Sequence, residues 1–121
     1  MTDRLGIALR DDGPVRIVTL EGRADALGSP GLETALLGSV REGRTWIVVD
    51  CARLTFISSS GLRALLAGLK AARAAGGGCV LAGLSDEPGR VVGMTGFDRL
   101  FLLAGDVPAA CALLLSQAGG T

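Results

Sequence analysis

The chain opens with alternating apolar and polar positions. Leu5, Ile7 and Leu9 are interleaved with Gly6, Ala8 and Arg10, a period of two that predicts a half-buried strand. Asp11-Asp12-Gly13-Pro14 is turn chemistry, and Val15-Arg16-Ile17-Val18-Thr19-Leu20 after it reads as a β-branched second strand. Strand, tight turn and strand predict an antiparallel hairpin. The period then changes. From Pro30 to Glu42, Leu32, Ala35, Leu36 and Val40 share one helical face, with Glu33, Arg41 and Glu42 off it. Ser29 before Pro30 predicts a cap followed by a first-turn proline, and Gly43 ends the helix.

Trp46-Ile47-Val48-Val49 is short and continuously apolar, as in a strand covered on both faces at the centre of a sheet, with Asp50 closing it. A second helix is predicted from about Ser59 to Ala75. Leu62, Leu65, Leu66 and Leu69 form its apolar stripe, Arg63, Lys70 and Arg73 lie outside it, and Gly76-Gly77-Gly78 stops it. Cys79-Val80-Leu81-Ala82 is a further buried strand. Pro88 to Thr95 is a short helix with Ser85 or Asp86 as its cap, Leu100 to Leu103 a last strand, and Asp106 and Pro108 open a final helix through Cys111, Leu114 and Leu115. The order ββαβαβαβα predicts an α/β fold with a mixed, mainly parallel sheet and right-handed crossovers. The 121 residues suit one domain, with a core from about residue 5 to 117 and a frayed Gly119-Gly120-Thr121 tail.

Composition narrows the chemistry by what is missing. The chain has no His, which excludes imidazole-based metal sites, triads and general bases. Twelve basic residues balance twelve acidic ones and neither sign forms a run, so neither a nucleic-acid nor a membrane-surface role is indicated. All the basic residues but Lys70 are Arg, which reads as coding bias. Cys51, Cys79 and Cys111 are scattered, odd in number and without C-x-x-C spacing, so they read as small buried hydrophobes in a reducing compartment. The N-terminus lacks the apolar core of a signal peptide and no apolar run reaches membrane-spanning length, so a cytoplasmic protein is expected. The glycine triplet follows a helix and precedes a strand, the reverse of a phosphate loop. The acid pairs Asp11-Asp12 and Asp86-Glu87 sit at a turn and a helix start, where they need no catalytic reason.

One stretch stands apart. In Asp50-Cys51-Ala52-Arg53-Leu54-Thr55-Phe56-Ile57-Ser58-Ser59-Ser60-Gly61-Leu62 a central strand gives way to three serines that open an amphipathic helix. Capping that helix needs only one of them. The free amides and positive dipole end of a helix start also suit a phosphoserine, whose nearly two added charges would alter the surface without unfolding the domain.

This stretch resembles the signature of the STAS domain, in particular that of the bacterial anti-sigma factor antagonists. That signature is a strand ending in Asp, a few residues, an apolar pair, then Asp, Ser, Ser or Thr, Gly and Leu. Leu20-Glu21-Gly22-Arg23-Ala24-Asp25 is similar to the family's Leu-x-Gly-x-Leu-Asp, and Met94-Thr95-Gly96-Phe97-Asp98-Arg99-Leu100-Phe101 to its Thr-Gly segment before the last strand. The three pieces lie in order along nearly the whole chain. The resemblance implies a single STAS domain over residues 1–121 that binds an anti-sigma factor serine kinase, frees a sigma factor, and is turned off by serine phosphorylation and restored by a serine phosphatase. It implies no enzyme activity, cofactor, nucleic acid or membrane. The phosphoacceptor position maps to Ser59, with Ser58 and Ser60 as alternatives, and the partner surface to Asp25, Ser58, Ser59, Ser60, Gly61 and Arg63. Ser58 stands where the family usually has Asp. The alternative is a STAS interaction subunit of a transporter or signalling assembly without the phosphorylation switch. A small enzyme or nucleotide-binding domain is disfavoured by the missing His and phosphate loop.

Overall fold

A computed structural model of the chain describes residues 5–84, 86–96 and 99–119. The elements are β1 (Gly6–Asp12), β2 (Val15–Ala24), α1 (Ser29–Arg41), β3 (Trp46–Ile57), α2 (Ser59–Ala74), β4 (Gly78–Ala82), α3 (Asp86–Thr95), β5 (Leu102–Ala104) and α4 (Val107–Gly119), the order expected from the sequence. They form a five-stranded sheet of order β1-β2-β3-β4-β5 with β3 at its centre. β1 pairs antiparallel with β2, and every later neighbour is parallel. Because each crossover steps one strand in the same direction, right-handed connections put α1, α2 and α3 on one face. On that face Val18, Leu20, Ile47, Val49, Cys51, Cys79 and Leu81 meet Leu32 and Leu36 of α1, Leu62, Leu65 and Leu69 of α2, and Val92 of α3. α4 follows the edge strand β5 and covers the other face, where Ala110 and Leu114 pack on Val15, Ile17, Val48 and Val80.

Several boundaries depart from the hydrophobic pattern, each for a local reason. Leu5 and Ile7 pack against the core as alternation predicts, but Leu9 is 48% exposed on the edge strand. Asp50 does not close β3. The strand continues to Ile57, and β2 continues with it to Ala24. Along this stretch β3 carries one more residue than β2 between Thr19 and Glu21, and another between Gly22 and Arg23. Each bulge resets the alternation, so Cys51, Leu54 and Ile57 are all buried in the same cluster although they lie three residues apart. A spacing of three inside a strand is invisible to a period-two reading. β5 likewise begins at Leu102, not Leu100, because only Leu102–Ala104 find partners, on β4.

The helix ends also differ. Ser29 is not the cap of α1 but its first helical residue, buried, while Gly28 occupies the cap without a side-chain bond. Asp25 supplies what a cap would. Its Oδ1 accepts from the amides of Leu27 (3.1 Å) and Gly28 (3.0 Å), and its carbonyl accepts from the Ser29 amide (2.9 Å). α2 ends as the glycine triplet predicts. The Gly76 amide donates to Arg73 O and the Gly77 amide to Ala72 O, a closure that needs the left-handed backbone of Gly76 (φ 88°). α3 begins at Asp86, two residues before Pro88, so Asp86 lies within the helix, and Ser85, the other expected cap, lies outside the described residues. Cys51 and Cys79 are buried, as expected, whereas Cys111 on α4 is half-buried. Burial pushes the Cys79 thiol up to about 12 and the Cys51 thiol higher still, so both stay protonated and unreactive.

Candidate functional site

The bulged extensions of β2 and β3 run past the end of β4 as a two-stranded arm. At its tip both chains turn, β2 through Asp25 into α1 and β3 through Ser58 into α2. This is the carboxyl end of the parallel strands, where open α/β sheets place their sites. Arg23 lies over the Phe56 ring, 4.1 Å from its centroid, and Thr55 Oγ1 donates to Gly22 O at 3.0 Å, so the arm is stitched at its second bulge.

The serines at this tip have different tasks. Ser58 is the N-cap of α2, with extended backbone (φ −96°, ψ 175°), and its Oγ accepts from the Gly61 amide at 3.2 Å. Its amide and its hydroxyl both donate to Ala24 O, at 2.9 and 3.0 Å, which fastens the start of α2 to the end of β2. A hydroxyl has one proton, and a carbonyl can only accept. The 2.8 Å contact between Ser58 and Ser60 is therefore a bond donated by Ser60. Ser29 Oγ donates to Asp25 O at 2.6 Å and lies 3.4 Å from Ser60 Oγ, bringing α1 into the same cluster. Ser59 differs. It is exposed, and its side chain makes no hydrogen bond among the described residues.

Gly61 is buried in the first turn of α2, where a Cβ would stand 2.7 Å from Ala24 O and 2.8 Å from Ile57 Cγ1. Only glycine lets α2 start this close to β2, so this residue sets the height at which the serines are presented. Arg63 is exposed one turn further on. Ser29, Pro30, Glu33, Leu37 and Arg41 of α1 and Ser60 and Arg63 of α2 line a cleft of about 470 Å³ that runs from the helix starts along α1. The structure thus gathers Asp25, Ser58, Ser59, Ser60, Gly61 and Arg63 at one end of the molecule. Asp25 is the member least free to act outward, because its carboxylate holds two backbone amides. The contribution of α1 was missed from the sequence. Ser29 and Leu37 carry no signal of their own, although Asp25 four residues before a serine is the spacing that ties the two turns together.

Among the described residues no three His, Cys, Asp or Glu side chains come together to hold a metal, and no helix is long and apolar enough to cross a membrane. The second polar cluster is at the opposite end of α1. There Arg16, 8% exposed, bonds Asp11 Oδ1 at 2.5 Å, Ser39 Oγ at 3.1 Å and Glu42 Oε1 at 3.1 Å, and Arg44 reaches Asp11 Oδ2 at 3.0 Å. The Arg16 hydrogen bond holds the Asp11 carboxyl below its ordinary range, and the same bond raises Arg16.

Comparison with known proteins gives a consistent picture. The sequence matches the STAS domain over residues 7–110. The Bordetella bronchiseptica protein BtrV, provisionally named an anti-sigma factor antagonist, is 34% identical over 96 residues, spanning 79% of this chain and 83% of its own. An anti-sigma factor antagonist from Mycobacterium paratuberculosis has the same fold, with a TM-score of 0.83 at 23% identity over 95% of this chain and 97% of the other. The Bacillus cell fate determinant SpoIIAA, solved in its phosphorylated form, gives a TM-score of 0.66 at 20% identity over 83% of this chain and 92% of the other.

Proposed function

The chain belongs to the STAS domain family, among the anti-sigma factor antagonists, and from that footing we propose that it binds an anti-sigma factor that is also a serine kinase, and that phosphorylation of Ser59 ends the binding. Unphosphorylated, the domain occupies the anti-sigma factor and the sigma factor is freed. A serine phosphatase resets the cycle. The chain is then a binder and a kinase substrate, and does no chemistry itself.

The observation that carries this reading is the division of work among the three serines. Ser58 caps α2 and Ser60 donates to Ser58, while the Ser59 hydroxyl is exposed and uncommitted. A kinase can reach Ser59 without dismantling the fold. Phosphate on Ser58 would have to displace the hydroxyl bond that fastens α2 to β2, and phosphate on Ser60 the bond it donates to Ser58. At Ser59 the new charge sits where the helix dipole favours an anion, so the domain survives the modification. On a docked surface the same charge loses solvent and repels acidic groups, so the complex does not. SpoIIAA, which shares the fold, has itself been solved in a phosphorylated form.

The test is phosphosite mapping by mass spectrometry after incubation with a cognate anti-sigma factor kinase and ATP. Phosphate at Ser59 supports the reading, and phosphate confined to Ser58 or Ser60 refutes it. One observation favours a second reading, an interaction subunit without a switch: Ser58 replaces the acid the family usually carries before its phosphoacceptor. No phosphate at any of the three serines would select that reading.

A further inference from the structure

Arg63 is unexplained by the fold. Elsewhere in the molecule Arg16 and Arg44 pair with Asp11, Arg53 with Glu21, Arg23 lies over Phe56 and Arg73 donates to Leu100 O, while Arg41, which lines the same cleft, stands in the last turn of α1 where the dipole favours a cation. Arg63 makes no hydrogen bond, ion pair or ring contact among the described residues, although Glu33 of α1 lines the same cleft. It also stands near the wrong end of its helix. A cation in the opening turns of α2 opposes the dipole, and α2 has no acidic residue to offset it.

Its position explains it once Ser59 carries a phosphate. Residues i and i+4 are neighbours on a helix surface, so Arg63 lies on the same side of α2 as Ser59. Long side chains on a helix lean toward its N-terminus, which carries the guanidinium back over the first turn. Arg63 lines one cleft with Ser60, the residue that follows Ser59. Resting on the reading of Ser59 as phosphoacceptor, we propose that Arg63 is the phosphate-reading residue of this domain: free in the unmodified protein, it closes on the Ser59 phosphate as a forked, charge-assisted pair. Phosphorylation then changes the surface twice. It adds negative charge at Ser59 and withdraws the Arg63 cation, which the unmodified domain offers to an acidic group of its partner. The modification adds one phosphoester and leaves every other bond in place; the clamp itself is non-covalent.

The experiment uses protein with phosphoserine installed at position 59 during translation, so it needs no kinase and separates this inference from the assignment of the natural site. The phosphate resonance is titrated by phosphorus NMR at low salt in the otherwise wild-type protein, Arg63→Gln and Arg63→Lys. The phosphate should titrate lower in the wild-type background than in Arg63→Gln, by on the order of half a pH unit, and Arg63→Lys should recover part of the shift. Added salt should shrink it. Thermal melts establish that each variant folds, which is expected because Arg63 is exposed. The same midpoint in wild type and Arg63→Gln overturns the clamp, whatever the mapping experiment finds. Conversely, a kinase that ignores Ser59 removes the natural switch even where the clamp is measured.

Discussion

Helix α1 is tethered at both ends by polar clusters, and the two are built differently. At its C-terminal end the cluster is ionic. Arg16 is almost fully buried and the hydrogen bonds of its side chain go to the carboxylates of Asp11 and Glu42 and the hydroxyl of Ser39. At its N-terminal end the cluster consists of hydroxyls and backbone groups, Ser29, Ser58 and Ser60 with the carbonyls of Ala24 and Asp25. The ionic end has matched its charges internally. The hydroxyl end has matched its protons but leaves one hydroxyl, Ser59, and one cation, Arg63, without partners among the described residues. The first arrangement resists change, because removing one partner strands a charge. The second can accept a new charge without losing a bond it already has.

Breaking each end should therefore give different signatures. Arg16→Met should have the largest effect on stability, a loss of about 3 kcal/mol, the low end for breaking a buried pair because Asp11 and Glu42 can rehydrate. Chemical denaturation measures it, and partner affinity should be unchanged. Gly61→Ala should cost about 2 kcal/mol by overpacking against Ala24 and Ile57. Unlike Arg16→Met it should also weaken partner binding, because the start of α2 is displaced. Ser58→Ala removes a cap and should lose about 1 kcal/mol in the same assay. Recovery of that loss in Ser58→Asp would show that capping is what Ser58 contributes. The smallest effect is acid sensitivity. Asp11 has a folded-state pKa below its ordinary value, so its contribution is fully present above that ordinary value and is lost as pH falls through the lowered one. Asp11→Asn should flatten this acid limb of the stability curve, and only slightly, since the carboxylate is 41% exposed and solvent screens it.

The two ends were also unequally legible in the sequence. The order of strands and helices followed from periodicity, and the serine-rich helix start stood out because one cap would have sufficed. The arm that carries it did not. Cys51, Leu54 and Ile57 share a face only because of bulges that a single chain does not announce, since a bulge exists in relation to the neighbouring strand. Proximity to Pro30 points to Ser29 as the cap of α1, whereas the carboxylate that binds the free amides lies upstream at Asp25. Arg16 interrupts a β-branched run, yet its burial depends on Asp11 of β1 and on Ser39 and Glu42 at the end of α1. Local chemistry was readable, and long-range satisfaction of polar groups was not.

The most direct test of the central claim is a binding titration of the anti-sigma factor kinase against wild type, Ser59→Ala and Ser59→Asp, with melts alongside. All three should melt within about 1 kcal/mol of one another, because Ser58 rather than Ser59 caps α2. Ser59→Ala should bind as wild type does, since it leaves the surface neutral. Ser59→Asp should bind at least about tenfold more weakly, which corresponds to about 1.4 kcal/mol. If Ser59→Asp binds as tightly as wild type, charge at the start of α2 does not control the partner, and the account is wrong.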